Sequence, residues 1–229
     1  MTKPKLFIFD LDGVITDTAE FHFLAWKQLA EELGITIDRR FNEELKGISR
    51  MESLEKILAL DPALQGMPLE EKKRLAEKKN DHYKELIRTI TPDHILPGVE
   101  PLIKRIKEEG ILLALGSASK NAPAVLQRLG LYEDFDLIVD PAKVKKGKPD
   151  PEIFTKAADH FRVPYSACVG VEDSAAGIEA INRAGMFSVG VGAADVLSAS
   201  AYIVPDTSRL DFDRIVEKFN RAREVEPSR

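Results

Sequence analysis

From Thr91 onward the chain alternates helical patterns with short, uninterrupted apolar runs, and this alternation limits the possible fold more than any other feature. Helix 98–109 precedes an apolar run at 111–116, helix 122–130 a run at 136–139, and helix 150–162 a run at 167–171. Helix 174–184 then precedes a run at 187–191, and a last short strand is expected near Tyr202 to Val204. Apolar runs this short, with no polar alternation, read as strands buried on both faces, and strands separated by helices pair in parallel. Leu6 to Phe9 is another such run; a lone short strand is not stable in water, so it joins the same sheet. The expectation is an α/β, Rossmann-like core with helices over both faces.

Residues 18–90 break the pattern. Phe21, Leu24, Ala25, Leu29 and Leu33 form a helical stripe that Gly34 stops. Further helical patterns run from about Ser49 to Leu60 and from about Pro68 to Ile90, joined by turns at Asp61-Pro62 and Gln65-Gly66. No strand of quality lies among them. The expected organisation is a core of residues 1–17 and 91–229, with a helical insertion at 18–90. An insertion that leaves directly after the first strand is expected to act as a lid, hinged at Asp17, Thr18, Thr91 and Pro92.

The first strand ends abruptly on Asp10 and Asp12, with Gly13 next. Two carboxylates so close repel each other unless a cation sits between them or one holds a proton. At the edge of a sheet, where α/β proteins bind ligands, that points to metal-assisted or acid–base chemistry. A helix–loop–helix calcium site does not fit. An apolar strand precedes the acids, and Phe21 stands twelfth from Asp10, where a bidentate Glu is required.

Three further strand ends carry polar groups. The second ends in Ser117-Ala118-Ser119-Lys120-Asn121, a helix start with Pro123 near its first turn. The third leads to Lys148 within Gly147-Lys148-Pro149-Asp150-Pro151, and the fourth to Glu172-Asp173-Ser174. Each has a plainer reading: Ser117 a turn residue, Lys148 one of a solvated run with Lys143, Lys145 and Lys146, Ser174 a helix cap. Taken together, all four fall at the carboxyl edge of parallel strands, which favours a phosphate-binding site.

These residues, in this order, resemble the haloacid dehalogenase superfamily of phosphotransferases. The resemblance implies that Asp10 is the nucleophile that takes the phosphoryl group and that Asp12 is the general acid–base. Ser117 and the Ala118 N–H would hold phosphoryl oxygens, and Lys148 would help neutralise the charge. One Mg2+ per monomer would be held by Asp10, the backbone carbonyl of Asp12, Glu172 and Asp173, an oxygen-only set that suits magnesium rather than zinc.

A finer resemblance is to the sugar-phosphate mutases of that superfamily. It rests on Gly13-Val14-Ile15-Thr16-Asp17-Thr18, His22, Trp26, Leu45-Lys46-Gly47-Ile48-Ser49-Arg50, Lys79-Asn80 and Ser117 to Asn121. It implies interconversion of β-D-glucose 1-phosphate and glucose 6-phosphate through an aspartyl phosphate, with β-glucose 1,6-bisphosphate as intermediate and activator. It also implies that the insertion is a four-helix cap. Substrate contacts would come from His22, Trp26, Lys46, Gly47, Arg50, Ser53, Lys79 and Asn80, with Ala118, Ser119, Lys120 and Asn121 from the core. From the residues alone, Trp26 reads as cap packing, His22 as an interface histidine and Arg50 as a helix-face charge. The alternatives are a Mg-dependent sugar-phosphate phosphatase and a non-enzymatic phosphate-sensing domain.

Composition narrows the rest. With 229 residues, 44% of them hydrophobic, the chain can bury a sizeable core. A net charge of −5 argues against nucleic acid or an anionic membrane as the main partner. The lone Cys168, set in an apolar run, is expected to be buried and inert. Leu6 to Phe9 is too short for a signal-peptide core, and no run approaches the ~20 apolar residues of a membrane helix. The expectation is a cytoplasmic monomer. His82, His94 and His160 lack ligand spacing and are assigned no role.

Overall fold

The computed structural model describes residues 2–45 and 48–225. Its apolar runs form one parallel sheet of β1 (Leu6–Phe9), β2 (Leu112–Leu115), β3 (Leu137–Ile138), β4 (Cys168–Glu172), β5 (Phe187–Val191) and β6 (Tyr202–Val204). Side by side, the order is β3-β2-β1-β4-β5-β6. β1 is central, with Phe9 in register with Leu115 on one side and Val171 on the other. The winding direction reverses between β1 and β4, which opens a crevice beyond the carboxyl ends of those strands.

Successive side chains of a strand point to opposite faces, and β1 is buried on both. Leu6 and Ile8 pack with Ile153 and Phe154 of α7 (Glu152–Phe161) and with Ile178 and Ile181 of α8 (Ala175–Arg183). Phe7 lies on the other face against Phe212, ring centroids 6.2 Å apart, at the head of α9 (Phe212–Val225). The remaining core helices are α5 (Val99–Glu108) and α6 (Ala122–Leu129).

The strands are shorter than the expected 111–116 and 136–139: β2 spans the four residues that pair with β1, and β3 only the two that pair with β2. α7 begins at Glu152, not at 150, since Pro149 and Pro151 keep the preceding turn out of the helix. α9 was not among the expected elements. Its stripe of Phe212, Ile215, Val216 and Phe219 has the spacing of a buried helix face, and all four are buried.

Residue contacts divide the chain into Met1–Asp17 with Thr91–Arg229, and Thr18–Ile90. The second unit contains α1 (Ala19–Glu32), α2 (Arg39–Glu43), α3 (Arg50–Leu58) and α4 (Leu69–Leu86), where apolar periodicity alone marks three helices. α2 is too short for that signal. Asp38 starts it by accepting the Phe41 N–H at 2.8 Å. α3 opens with a capping box, in which the Glu52 carboxylate accepts the Ser49 N–H at 2.8 Å. Phe23, Trp26, Leu29, Leu54 and Ile57 form this unit's own core.

In the core unit the outgoing and returning segments are joined. Thr16 bridges to Ile95, its hydroxyl donates to the His94 carbonyl at 2.7 Å, and the Leu96 N–H donates to Ile15 at 2.9 Å. His94 has a structural role that the sequence did not suggest: its Nδ1 accepts the Thr91 N–H at 3.2 Å and holds the return turn. Among the described residues, no helix is long and apolar enough to cross a membrane.

Cys168 is fully buried at the start of β4 and lies 3.4 Å from the Pro164 carbonyl, to which its S–H donates. Burial pushes its thiol up to about 12. The unfolded thiol ionises at ordinary values while the folded one does not, so this site stabilises the fold below those values. That contribution is lost at up to ~1.4 kcal/mol per pH unit as pH rises toward the folded value. A chromogenic thiol reagent at mildly alkaline pH is therefore expected to leave the native protein unmodified and to label Cys168 once denaturant is added. Prompt labelling of the native protein would contradict the burial.

Candidate active site

The backbone ladder fixes Asp10 at the end of β1. Its N–H donates to Val171 at 2.9 Å, and the Gly116 N–H donates to Phe9 at 2.8 Å. Asp10 Oδ1 accepts from Lys148 Nζ at 2.5 Å, and the same ammonium donates to Glu172 Oε2 at 2.8 Å. Asp10 Oδ2 accepts the Asp12 N–H at 3.1 Å. Asp10, Lys148 and Glu172 are all buried. Glu172 Oε1 accepts from Asp173 N, Ser174 N and Ser174 Oγ, each at 3.0 Å. Ser174 also caps α8 by accepting the Gly177 N–H at 3.1 Å, so it is both a cap and a ligand of Glu172.

Two glycines let the carboxylates approach the backbone. Gly13 has φ +72, and a Cβ there would stand 2.1 Å from Asp173 Oδ2. A Cβ at Gly177 would stand 1.9 Å from Glu172 Oε2. Neither Gly177 nor its contact was expected; the available signal was a glycine inside the first turn of a helical pattern.

Charge determines what this arrangement can hold. Asp10, Glu172 and Asp173 offer oxygens within 4.8 Å of one another, and Lys148 is the ammonium that bridges two of them. Burial pushes the Asp10 carboxyl up to about 6; Lys148 opposes the shift and Glu172 adds to it. Burial also works against the Lys148 ammonium, but the Asp10 and Glu172 carboxylates outweigh it and hold the lysine protonated above its ordinary range. Negative charge is thus left over, and the donors are all oxygen. A hard divalent cation fits both facts. The Asp12 side chain is not part of this cluster; it is half-buried beside it.

The other core residues expected at the site flank Asp10. Ser117 is buried after β2, its Oγ accepting the Ser119 N–H at 3.1 Å, while Ser119 Oγ accepts the Asn121 N–H at 3.3 Å. Asn121 stands at the cap position of α6, Ala118 is partly buried and Lys120 is exposed. Because β2 and β4 pair with opposite edges of β1, this loop borders Asp10 on the side away from Glu172. Lys148 is separated from the exposed run Lys143, Lys145 and Lys146 by the way its loop is held. Glu152 Oε2 accepts the N–H groups of Lys145 and Lys146 at 2.8 and 2.9 Å, and Arg183 Nη1 donates to the Pro149 carbonyl at 3.1 Å. Sequence reasoning missed Glu152, although an acid in a first helical turn after Pro151 was visible.

In the helical unit, Lys79 is buried, and its ammonium lies 4.6 Å from the Trp26 ring centroid and 4.9 Å from that of Tyr83. The Lys79 ammonium lies 2.7 Å from His22 Nδ1, and His22 stacks on Tyr83 at 4.1 Å. An ammonium only donates, so Nδ1 accepts and the imidazole proton sits on Nε2. Burial, then the Lys79 and Arg50 charges, hold His22 well below its ordinary value and keep it neutral.

Trp26 packs as the residues alone suggest. It is buried in the unit's core with the Lys79 ammonium over its face. Ser53 is also buried, its hydroxyl donating to the Ser49 carbonyl at 3.1 Å. Arg50 begins α3, and Asn80 is buried on α4; both contact Glu77. Lys46 and Gly47 lie outside the described residues. Of the remaining histidines, His160 packs edge-on against Phe161, centroids 4.8 Å apart.

The fold and site are those of a phosphotransferase class. A family model for haloacid dehalogenase-like hydrolases matches residues 4–185, and the chain belongs to that family. Within it, the chain is 48% identical to the β-phosphoglucomutase of Bacillus subtilis over 219 residues, 96% of this chain and 97% of the relative. A crystal structure of β-phosphoglucomutase from Clostridium difficile matches with a TM-score of 0.94 and 50% identity, covering 97% of this chain and all of that one. A phosphorylated carbohydrates phosphatase of Thermotoga maritima is 33% identical over 184 residues, 78% of this chain and 81% of the relative.

Lys148→Ala leaves two buried carboxylates without their shared ammonium. The expected cost is about 3–5 kcal/mol of stability. Added Mg2+ should recover part of the lost melting temperature but not the activity. A variant as stable as the parent without metal would refute the charge account.

Proposed function

We propose that this chain is a phosphosugar mutase that interconverts β-D-glucose 1-phosphate and glucose 6-phosphate through an aspartyl phosphate and β-glucose 1,6-bisphosphate. The observation that carries the reading is the buried Asp10 carboxylate, aimed past the end of β1 and held by Lys148 at 2.5 Å. Near-full-length likeness to β-phosphoglucomutase at 48% identity, against 33% for the phosphatase, favours the mutase. The Mg-dependent phosphatase is the second reading, and that phosphatase relative is its support.

In this reading an Asp10 oxygen attacks phosphorus, the Asp10–phosphorus bond forms and the bond from phosphorus to the sugar oxygen breaks. Asp12 gives its proton to the departing sugar oxygen, then removes one from the hydroxyl that receives the phosphoryl group in the return step. Lys148 offsets the charge of Asp10 and the phosphate as they approach. The Ser117 hydroxyl and the Ala118 N–H hold phosphoryl oxygens in line. Asp10, the Asp12 backbone carbonyl, Glu172 and Asp173 would hold Mg2+, which would supply positive charge to the phosphoryl oxygens.

The bisphosphate needs a second anion site. Arg50 is assigned to it for its fork of donors, with Asn80 beside it and Ser119, Lys120 and Asn121 from the core. His22, neutral and carrying its proton on Nε2, suits donation to a sugar oxygen. Residues 18–90 act as a cap that hinges at Asp17–Thr18 and Thr91–Pro92 and excludes water from the aspartyl phosphate. The acidic chain works as a cytoplasmic monomer on a small phosphosugar, with β-glucose 1,6-bisphosphate as activator.

Phosphorus NMR of the protein with Mg2+, β-glucose 1-phosphate and a trace of the bisphosphate tests this directly. Glucose 6-phosphate is expected to accumulate without inorganic phosphate; accumulation of inorganic phosphate instead would mean a phosphatase. Asp10→Asn is expected to abolish transfer and phosphoenzyme formation. Arg50→Ala is expected to damage the mutase reaction far more than hydrolysis of acetyl phosphate, and equal losses would remove the second phosphate site from Arg50.

A further inference from the structure

Three donors in the helical unit converge on one carboxylate. Glu77, on α4, accepts Arg50 Nη1 on Oε2 at 3.3 Å; its Oε1 accepts Asn80 Nδ2 at 3.3 Å and Lys84 Nζ at 3.5 Å. Arg50 and Asn80 are the two residues of this unit assigned above to the non-transferring phosphate. Among the described residues, Arg50's hydrogen bonding is confined to Glu77. We propose that Glu77 is an internal counter-ion that occupies Arg50 and Asn80 in the absence of the second phosphate and limits how tightly they grip it. This rests on the mutase reading.

The contacts suit a placeholder. They are long, and the Glu77 side chain is 58% exposed, so exchanging it for solvent costs little. The Arg50 side chain is only 23% exposed. Burial works against its charge more than Glu77 and Asp81 support it, which leaves a cation short of compensation. Such a group favours a dianionic phosphate over one loosely held carboxylate. Glu77 is held ionised, chiefly by the Asn80 amide with Arg50 and Lys84 contributing, so it repels the phosphate that displaces it.

Charge therefore decides the sign of its effect. If Glu77 oriented Arg50, removing it would weaken binding; as a competitor, its removal tightens binding. A mutase gains from the competitor, because its bisphosphate must release one end before presenting the other. A carboxylate that reclaims Arg50 assists that release.

Glu77→Gln removes the charge and keeps the shape. In the mutase assay we expect KM for β-glucose 1-phosphate and kcat to fall together by about two- to five-fold, leaving kcat/KM nearly unchanged. A merely structural role would not lower KM. Calorimetric binding of β-glucose 1,6-bisphosphate to protein carrying Asp10→Asn, which does not turn over, should tighten by the same factor when Glu77→Gln is added. That gain should vanish when Arg50→Ala is added as well. Unchanged or weaker binding, or a gain that survives Arg50→Ala, overturns the proposal. A wild-type protein that releases only inorganic phosphate overturns the mutase reading instead, and the binding measurement then still decides the role of Glu77.

Discussion

One buried ammonium organises the core of this protein. Lys148 reaches both Asp10 and Glu172 inside the fold, and neither carboxylate would tolerate that burial alone. The bridge ties the end of β1 to the end of β4 across the point where the winding reverses. It also sets the electrical character of the site. One positive charge serves more than one negative one, and the remainder makes the site a receptor for a cation. Glu152 and Arg183 matter because they hold the loop that delivers the ammonium. The hydrogen bonds on Glu172 Oε1 matter because they hold the carboxylate that receives it.

The helical unit also buries a cation. Lys79 is buried beside His22, Trp26 and Tyr83, and the faces of two aromatic rings take part of its charge. The proton pattern of His22 follows from that choice. Arg50 has the softest arrangement, a long contact to an exposed acid. The three cations differ in how firmly each is held. The tightest sits beside the proposed nucleophile, and the loosest is assigned to the part of the substrate that must move.

Much of this was legible because burial leaves a strong pattern in sequence. Apolar runs gave all six strands and their parallel pairing, since few polar side chains are tolerated between two helical layers. Asp10, Ser117 and Glu172 were legible because each is a polar residue placed where such a run stops, and Lys148 because it stands in the loop that follows one. The less visible parts act through backbone or through distance. Glu152 works through two amide groups that have no residue identity, and Gly177 works through an atom it lacks. Glu77 lies among many charged residues of α4, and nothing in the sequence separates it from Glu70 or Glu85. α2 was lost because five residues hold less than two turns. α9 did carry a readable stripe, but its many charges make it look like a solvated tail.

The pairing of Thr16 with Ile95 has a consequence for how such a chain is assembled. Bridged strands stand roughly 5 Å apart, a gap that a two-residue turn closes. The helical unit therefore leaves and re-enters the sheet domain through a single doorway. To the sheet, a long excursion and a short hairpin present the same boundary condition. The sheet is thereby insulated from the length of residues 18–90, since the bridge fixes where that segment departs and returns.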